Sequence, residues 1–101
     1  MPITNPVSRG DAVVAALSSV ASSASSVELL PTANPGRAGF VIFNDSSAIL
    51  YVAFAGTAST TAFTDKIAAG AVYNPPQPVY TGVVSGIWAS ANGYARVTEL
   101  T

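Results

Sequence analysis

Gly39-Phe40-Val41-Ile42-Phe43-Asn44-Asp45-Ser46-Ser47-Ala48-Ile49-Leu50-Tyr51-Val52-Ala53-Phe54 is two apolar runs separated by a polar break. Both runs, Gly39 to Phe43 and Ile49 to Phe54, are short and rich in aromatic and β-branched residues. Both therefore read as central strands buried on two faces. Between them Asn44-Asp45-Ser46-Ser47 supplies side chains that bond their own backbone and turn the chain. The stretch predicts two strands returning on each other as a hairpin through a loop of about four or five residues.

Downstream the same alternation of short runs and turns continues. Gly56 to Thr61 reads as a small-residue loop, Ala62 to Ile67 as a short and more polar strand, and Ala69-Gly70 as a turn before Val72-Tyr73. Asn74-Pro75-Pro76-Gln77-Pro78 cannot be a central strand, because proline lacks the ladder donor. It reads as a surface loop with polyproline II character. Asn92-Gly93 is the strongest two-residue signal for a type I′ turn. It predicts a terminal hairpin pairing Ala91 with Tyr94, Ala89 with Arg96 and Trp88 with Val97. Alternation then sets Trp88 and Val97 on one face, in the core, and Ile87, Tyr94 and Arg96 on the other.

Upstream, Asn34-Pro35-Gly36 is turn chemistry. Residues 11–30 fit two periods. Val13, Leu17, Val20, Ala24 and Val27 share a helical face, whereas Val14, Ala16, Ser18 and Val20 alternate as in a strand. Six serines in three pairs weaken the helix, because their hydroxyls compete for the backbone. The strand reading is preferred, with a turn over 21–26 and a second strand at Val27 to Leu30. In residues 1–10, Pro2 and Pro6 hold the chain extended, and the segment reads either as a frayed end or as an arm reaching a neighbouring subunit. The organisation expected is an extended N-terminal arm, 1–10, and a single domain, 11–101. Its class is all-β, a small β-sandwich or jelly-roll-like domain of about seven or eight short antiparallel strands.

Charge is the most informative part of the composition. Only 9% of the 101 residues are Asp, Glu, Lys or Arg, against 50% apolar types, where ordinary domains carry about 25% charged residues. Nine charges over a folded surface of roughly 5,300 Å² leave about one per 600 Å². So sparse a charge favours association, and much of the surface is expected to be covered by other subunits. The net charge of −1 and four cations (Arg9, Arg37, Lys66, Arg96) argue against nucleic acid. With no Cys and no His there is no thiolate nucleophile, no His-based triad and no usual zinc site. The segment from Val13 to Val27 is too polar for a signal peptide, and no apolar run approaches a membrane span. The chain is expected to be made and kept in a cytoplasm, or in a particle assembled there.

No catalytic constellation stands out, and the chain is expected not to be an enzyme and to need no cofactor or metal. Asp11, Glu28, Asp45, Asp65 and Glu99 are far apart in sequence, and the turn at Asn44-Asp45 lacks the dense oxygen ligands of a calcium loop. Arg37 lies between Gly36 and Gly39, but a strand rather than a helix follows, so it reads as a loop charge bonding carbonyls or a neighbour rather than as an anion site. Tyr51, Tyr73, Tyr80, Trp88 and Tyr94 would serve a sugar-stacking platform, but nine aromatics are ordinary in a sandwich, and core or subunit packing is the preferred reading of them.

Five stretches carry a resemblance. Asn34-Pro35-Gly36-Arg37-Ala38-Gly39-Phe40-Val41-Ile42-Phe43-Asn44-Asp45-Ser46-Ser47, with Ile49-Leu50-Tyr51-Val52, is similar to a family of small tailed-phage virion proteins. So are Gly56 to Thr61 and Tyr80-Thr81-Gly82, and so is Gly86-Ile87-Trp88-Ala89-Ser90-Ala91-Asn92-Gly93-Tyr94-Ala95-Arg96-Val97-Thr98-Glu99. The likeness spans roughly residues 27–100. It implies a β-rich capsid decoration or tail accessory protein without catalysis, and transfers no active-site residue. The function expected is a capsid decoration or cement protein, bound to the outer shell between subunits of the major capsid protein in a virion assembled in bacterial cytoplasm. The alternative is a tail, fibre or neck module, a glycan-binding domain included. A homo-oligomer is expected, a trimer above all. Contacts are expected from the arm (Ile3, Val7, Arg9) and from exposed aromatic and proline loops (Tyr73, Pro75, Pro76, Tyr80).

Overall fold

The apolar runs all become strands, and their partners are set by how the chain rolls up. A computed structural model describes residues 12–101, which form eight strands and no helix. These are β1 (Ala15–Ala21), β2 (Val27–Leu30), β3 (Gly39–Asp45), β4 (Leu50–Ala53), β5 (Asp65–Ile67), β6 (Val72–Tyr73), β7 (Val84–Trp88) and β8 (Tyr94–Leu100). Residues 15–21 and 27–30 are strands, as the serine content predicted. Sheet A has the order β1-β8-β3-β6 and sheet B the order β2-β7-β4-β5. All pairs are antiparallel.

One ribbon underlies both sheets. β4 pairs with β5, β3 with β6, β2 with β7 and β1 with β8. The chain is thus a long antiparallel ribbon doubled back after β4 and rolled so that successive rungs fall in opposite sheets. That is the eight-stranded jelly roll, one of the two topologies left open by the residue pattern.

Both predicted hairpins are corrected by this arrangement. β3 and β4 lie in different sheets, and so do β7 and β8. Asn44-Asp45-Ser46-Ser47 and Asn92-Gly93 do turn the chain, but each carries it across from one sheet to the other. The two crossings pack together. Asn92 Oδ1 accepts from the Ser47 backbone N–H at 2.7 Å and from Ser47 Oγ at 3.0 Å. Gly93 has φ +78°, and a Cβ there would strike the Asp45 carbonyl oxygen and the Ser46 backbone. Glycine at 93 therefore answers to a neighbouring turn as well as to its own backbone angle.

The core lies between the sheets. Phe40 and Ile42 of β3 and Val97 of β8 meet Leu29, Leu50, Val52, Val84 and Trp88 from sheet B. Trp88 is 1% exposed, as its alternation with Val97 required, although the two residues belong to different sheets. Gly86 of β7 leaves room for Leu29 and Leu50; a Cβ would sit 2.9 Å from each of their Cδ1 atoms. The expectation that β3 is buried on both faces is corrected: Phe40, Ile42 and Asn44 point inward, while Val41 and Phe43 are half-exposed on the outer side. Two layers give each sheet a single covered face.

Two polar knots close the ends of β3. Asn44 is fully buried; its Nδ2 donates to the carbonyls of Ala48 (2.8 Å), Ile67 (2.9 Å) and Ala68 (3.2 Å). Its Oδ1 accepts from Trp88 Nε1 (3.2 Å) and Ser46 Oγ (2.7 Å). One amide thus joins sheet A to three segments of sheet B and its loops. Near the start of β3, the buried Arg37 guanidinium donates to Glu99 (2.8 Å) and to the carbonyls of Tyr80, Gly82 and Thr32, and lies over the Phe40 ring. Arg37 is a loop charge bonding carbonyls, as expected.

Candidate interaction surface

The contact residues expected from the sequence do not form one site. Ile3, Val7 and Arg9 lie outside the described residues. Tyr73 was expected to be exposed; it is buried, because β6 sets it opposite Ile42 with its ring toward the core. Burial pushes its phenol pKa up, and the charge of Asp65 adds to this. Tyr80 is half-buried and stacks on Phe54 with ring centroids 4.9 Å apart and planes 9° from parallel. Pro75 is half-buried and Pro76 exposed, in a loop whose Gln77-Pro78 bond is cis. Trp88 is sealed in the core, as expected, and so takes no part in a sugar-stacking platform.

A more coherent surface lies on the outer face of sheet A. Here cross-strand neighbours share a face, so the register assigns the rows directly. One row is Leu17, Thr98 and Val41; the next is Ser19, Arg96, Phe43 and Val72; a third is Ala21, Tyr94 and Asp45. Leu17 is 77% exposed and Val72 55%, while Val41 and Phe43 are half-exposed. The only charges in these rows are paired. Arg96 bonds Asp45 at 2.8 Å, reaches Ser19 Oγ at 2.9 Å and lies over the Tyr94 ring, 4.6 Å from its centroid. The face sets exposed apolar side chains, Leu17, Val41, Phe43 and Val72, beside Ser19, Thr98 and one self-neutralised ion pair; apolar side chains rimmed by polar ones in this way suit an interaction surface.

At its border β1 is exposed on both faces. Among the described residues it pairs only with β8 and overhangs sheet B, so Ala16 and Ser18 on its inner side are exposed while Val20 reaches the edge of the core. Beneath the overhang runs a groove of about 180 Å³ between Ala16, Ser18, Leu29, Leu30, Pro31 and Glu99. A shallower hollow of about 280 Å³ lies along Leu17, Ser19, Arg96 and Thr98. Sequence reading missed this region because Ser and Ala dilute its apolar pattern. The signal was present in the overall scarcity of charge and in the four residues Ala15, Ala16, Leu17 and Ser18, which contain no gatekeeper.

Neither hollow is lined by a cluster of ionisable groups. Among the described residues no three of His, Cys, Asp and Glu come together to hold a metal ion. Asp45, considered for calcium, is bound to Arg96, and the neighbouring Asn44 amide is buried and fully bonded. Comparison of the chain with protein-family models, with curated proteins and with solved structures finds no match.

Proposed function

We propose that this chain is a non-enzymatic structural protein of a phage particle, a decoration or cement protein that lies on the outer shell between major capsid subunits. The observation that carries the reading is the charge-poor outer face of sheet A, whose one ion pair, Arg96 with Asp45, neutralises itself, together with its exposed border strand β1. A surface so poor in charge suits a protein whose neighbours cover it. Many small side chains, 18 Ala, 12 Ser and 9 Thr, allow flat close packing against another protein. The particle is suggested by the resemblance, noted in the sequence, to small tailed-phage virion proteins. A jelly roll agrees with this but does not select it, since the same fold serves capsid and lectin domains.

In this reading Leu17, Val41, Phe43 and Val72 make the apolar contact with the shell, and residues 1–10 add a second attachment. Quantitative mass spectrometry of purified particles tests it. A copy number comparable with that of the major capsid protein is expected, and Phe43→Lys should lower it at least tenfold while leaving the circular dichroism spectrum of the free protein unchanged. A dozen copies or fewer per particle would move the protein to the neck or tail, and its absence would end the phage reading.

A further inference from the structure

We infer that the outer edge of β1, unpaired among the described residues, is a self-pairing edge, on which the β1 strand of a second copy adds antiparallel across a twofold axis. This inference goes beyond the decoration reading and does not depend on it. Bonds at the two ends of the β1–β8 ladder fix which backbone groups are free. Thr101 N–H donates to Val14 O and Val14 N–H to Thr101 O, and at the other end Ser22 N–H donates to Gly93 O. Antiparallel ladders alternate bonded and non-bonded pairs. Ala16, Ser18 and Val20 therefore bond to β8, while the N–H and C=O groups of Ala15, Leu17, Ser19 and Ala21 point away from the sheet.

Edges of this kind recruit strands unless they are shortened, charged or interrupted by proline. The other edges are short: β6 has two residues, β5 three, and β2 four with an irregular register. β1 has seven residues, Ala15–Ala21, none of them charged and none proline. A ring joining β1 of one copy to β6 of the next could use only a two-residue partner strand. Another β1 matches it along its whole length.

The register is set by the free groups. When Leu17 faces Ser19 of the second copy, Ala15 faces Ala21, and all four outward residues of each strand exchange both of their backbone bonds. Ser18 then meets its own copy on the axis, and only Ala, Ser, Leu and Val side chains are brought together. The two sheets A become one eight-stranded sheet, and their apolar outer faces become continuous. The resulting symmetry is twofold, unlike the trimer expected from the sequence.

Native mass spectrometry and sedimentation equilibrium of the full chain over a concentration series test this. Two chains are expected, with the amides of Ala15, Leu17, Ser19 and Ala21 gaining protection from hydrogen exchange as concentration rises. Leu17→Pro removes an N–H that the single chain does not use, and should weaken association at least tenfold. Leu17→Lys should do the same without altering the backbone, and decides the matter if the proline variant misfolds. A single chain at every concentration, a trimer indifferent to Leu17→Lys, or a dimer with those four amides unprotected would overturn the inference. Dimers that form only after removal of residues 1–10 would do so as well, by assigning the edge to the chain's own N-terminal segment.

Discussion

β1 and β3 are both seven residues long, and both lie against the same seven residues of β8 in unbroken antiparallel register. On one rung Val97 has Ser18 on one side and Ile42 on the other; the serine is exposed and the isoleucine fully buried. Backbone pairing is therefore not what separates the two strands. Sheet B lies beneath β3 and stops short of β1. β3 is held by side chains packed between layers and by a polar knot at each end, whereas β1 is held by its ladder and by Val20. The difference teaches that a strand can belong fully to the fold while keeping its surface for something else.

Breaking the β3 side should have the largest effect. Arg37→Ala leaves three carbonyls and Glu99 without their donor and is expected to destabilise the domain by about 3–5 kcal/mol, the range for breaking a buried ion pair; denaturant titration would measure it. Asn44→Ala orphans the Trp88 indole N–H and the carbonyls that the amide served. A loss of about 2–4 kcal/mol is expected, read as a fall in thermal midpoint of at least about 10 °C. A loss below about 1 kcal/mol would show that the knot is dispensable. Across the same β8 rung, Ser18→Ala should change stability by no more than about 0.5 kcal/mol. A larger loss in dilute protein would mean that β1 contributes more to the single chain than its exposure implies.

The strands themselves were legible because their signal is local. Val41-Ile42-Phe43 and Leu50-Tyr51-Val52 cannot sit comfortably in anything but a sheet, and Pro75-Pro76 had to be a loop. Pairing was less legible, because a turn motif reports a reversal of direction and not the sheet in which the chain continues. Asn92-Gly93 has the chemistry of a hairpin, yet its glycine is also required by the Asp45 carbonyl of another crossing, a contact far away in sequence. Asn44 was read as a turn residue; its role as the buried link between sheets depends on Trp88, Ile67 and Ala68 arriving from three other segments. The candidate surface was least legible. Tyr73 and the proline loop attracted attention as conspicuous residue types, whereas Leu17 and Ser19 acquire meaning only once β1 is seen to overhang its neighbours.

Rolling the ribbon also imposes an order in time. β8 is the central bridge of sheet A, joining β1 to β3, and it is translated after the other seven strands described. Until it emerges from the ribosome β1 lacks β8 and sheet A cannot close, so the nascent chain must hold β1 without this partner while the strands between them are made. The small and hydroxyl-bearing residues of β1, Ala15, Ala16, Ser18, Ser19 and Ala21, suit a strand with so long a wait. Its uncharged backbone edge stays open through that wait, so a β1 on a neighbouring nascent chain of the same messenger is a partner available before β8 is.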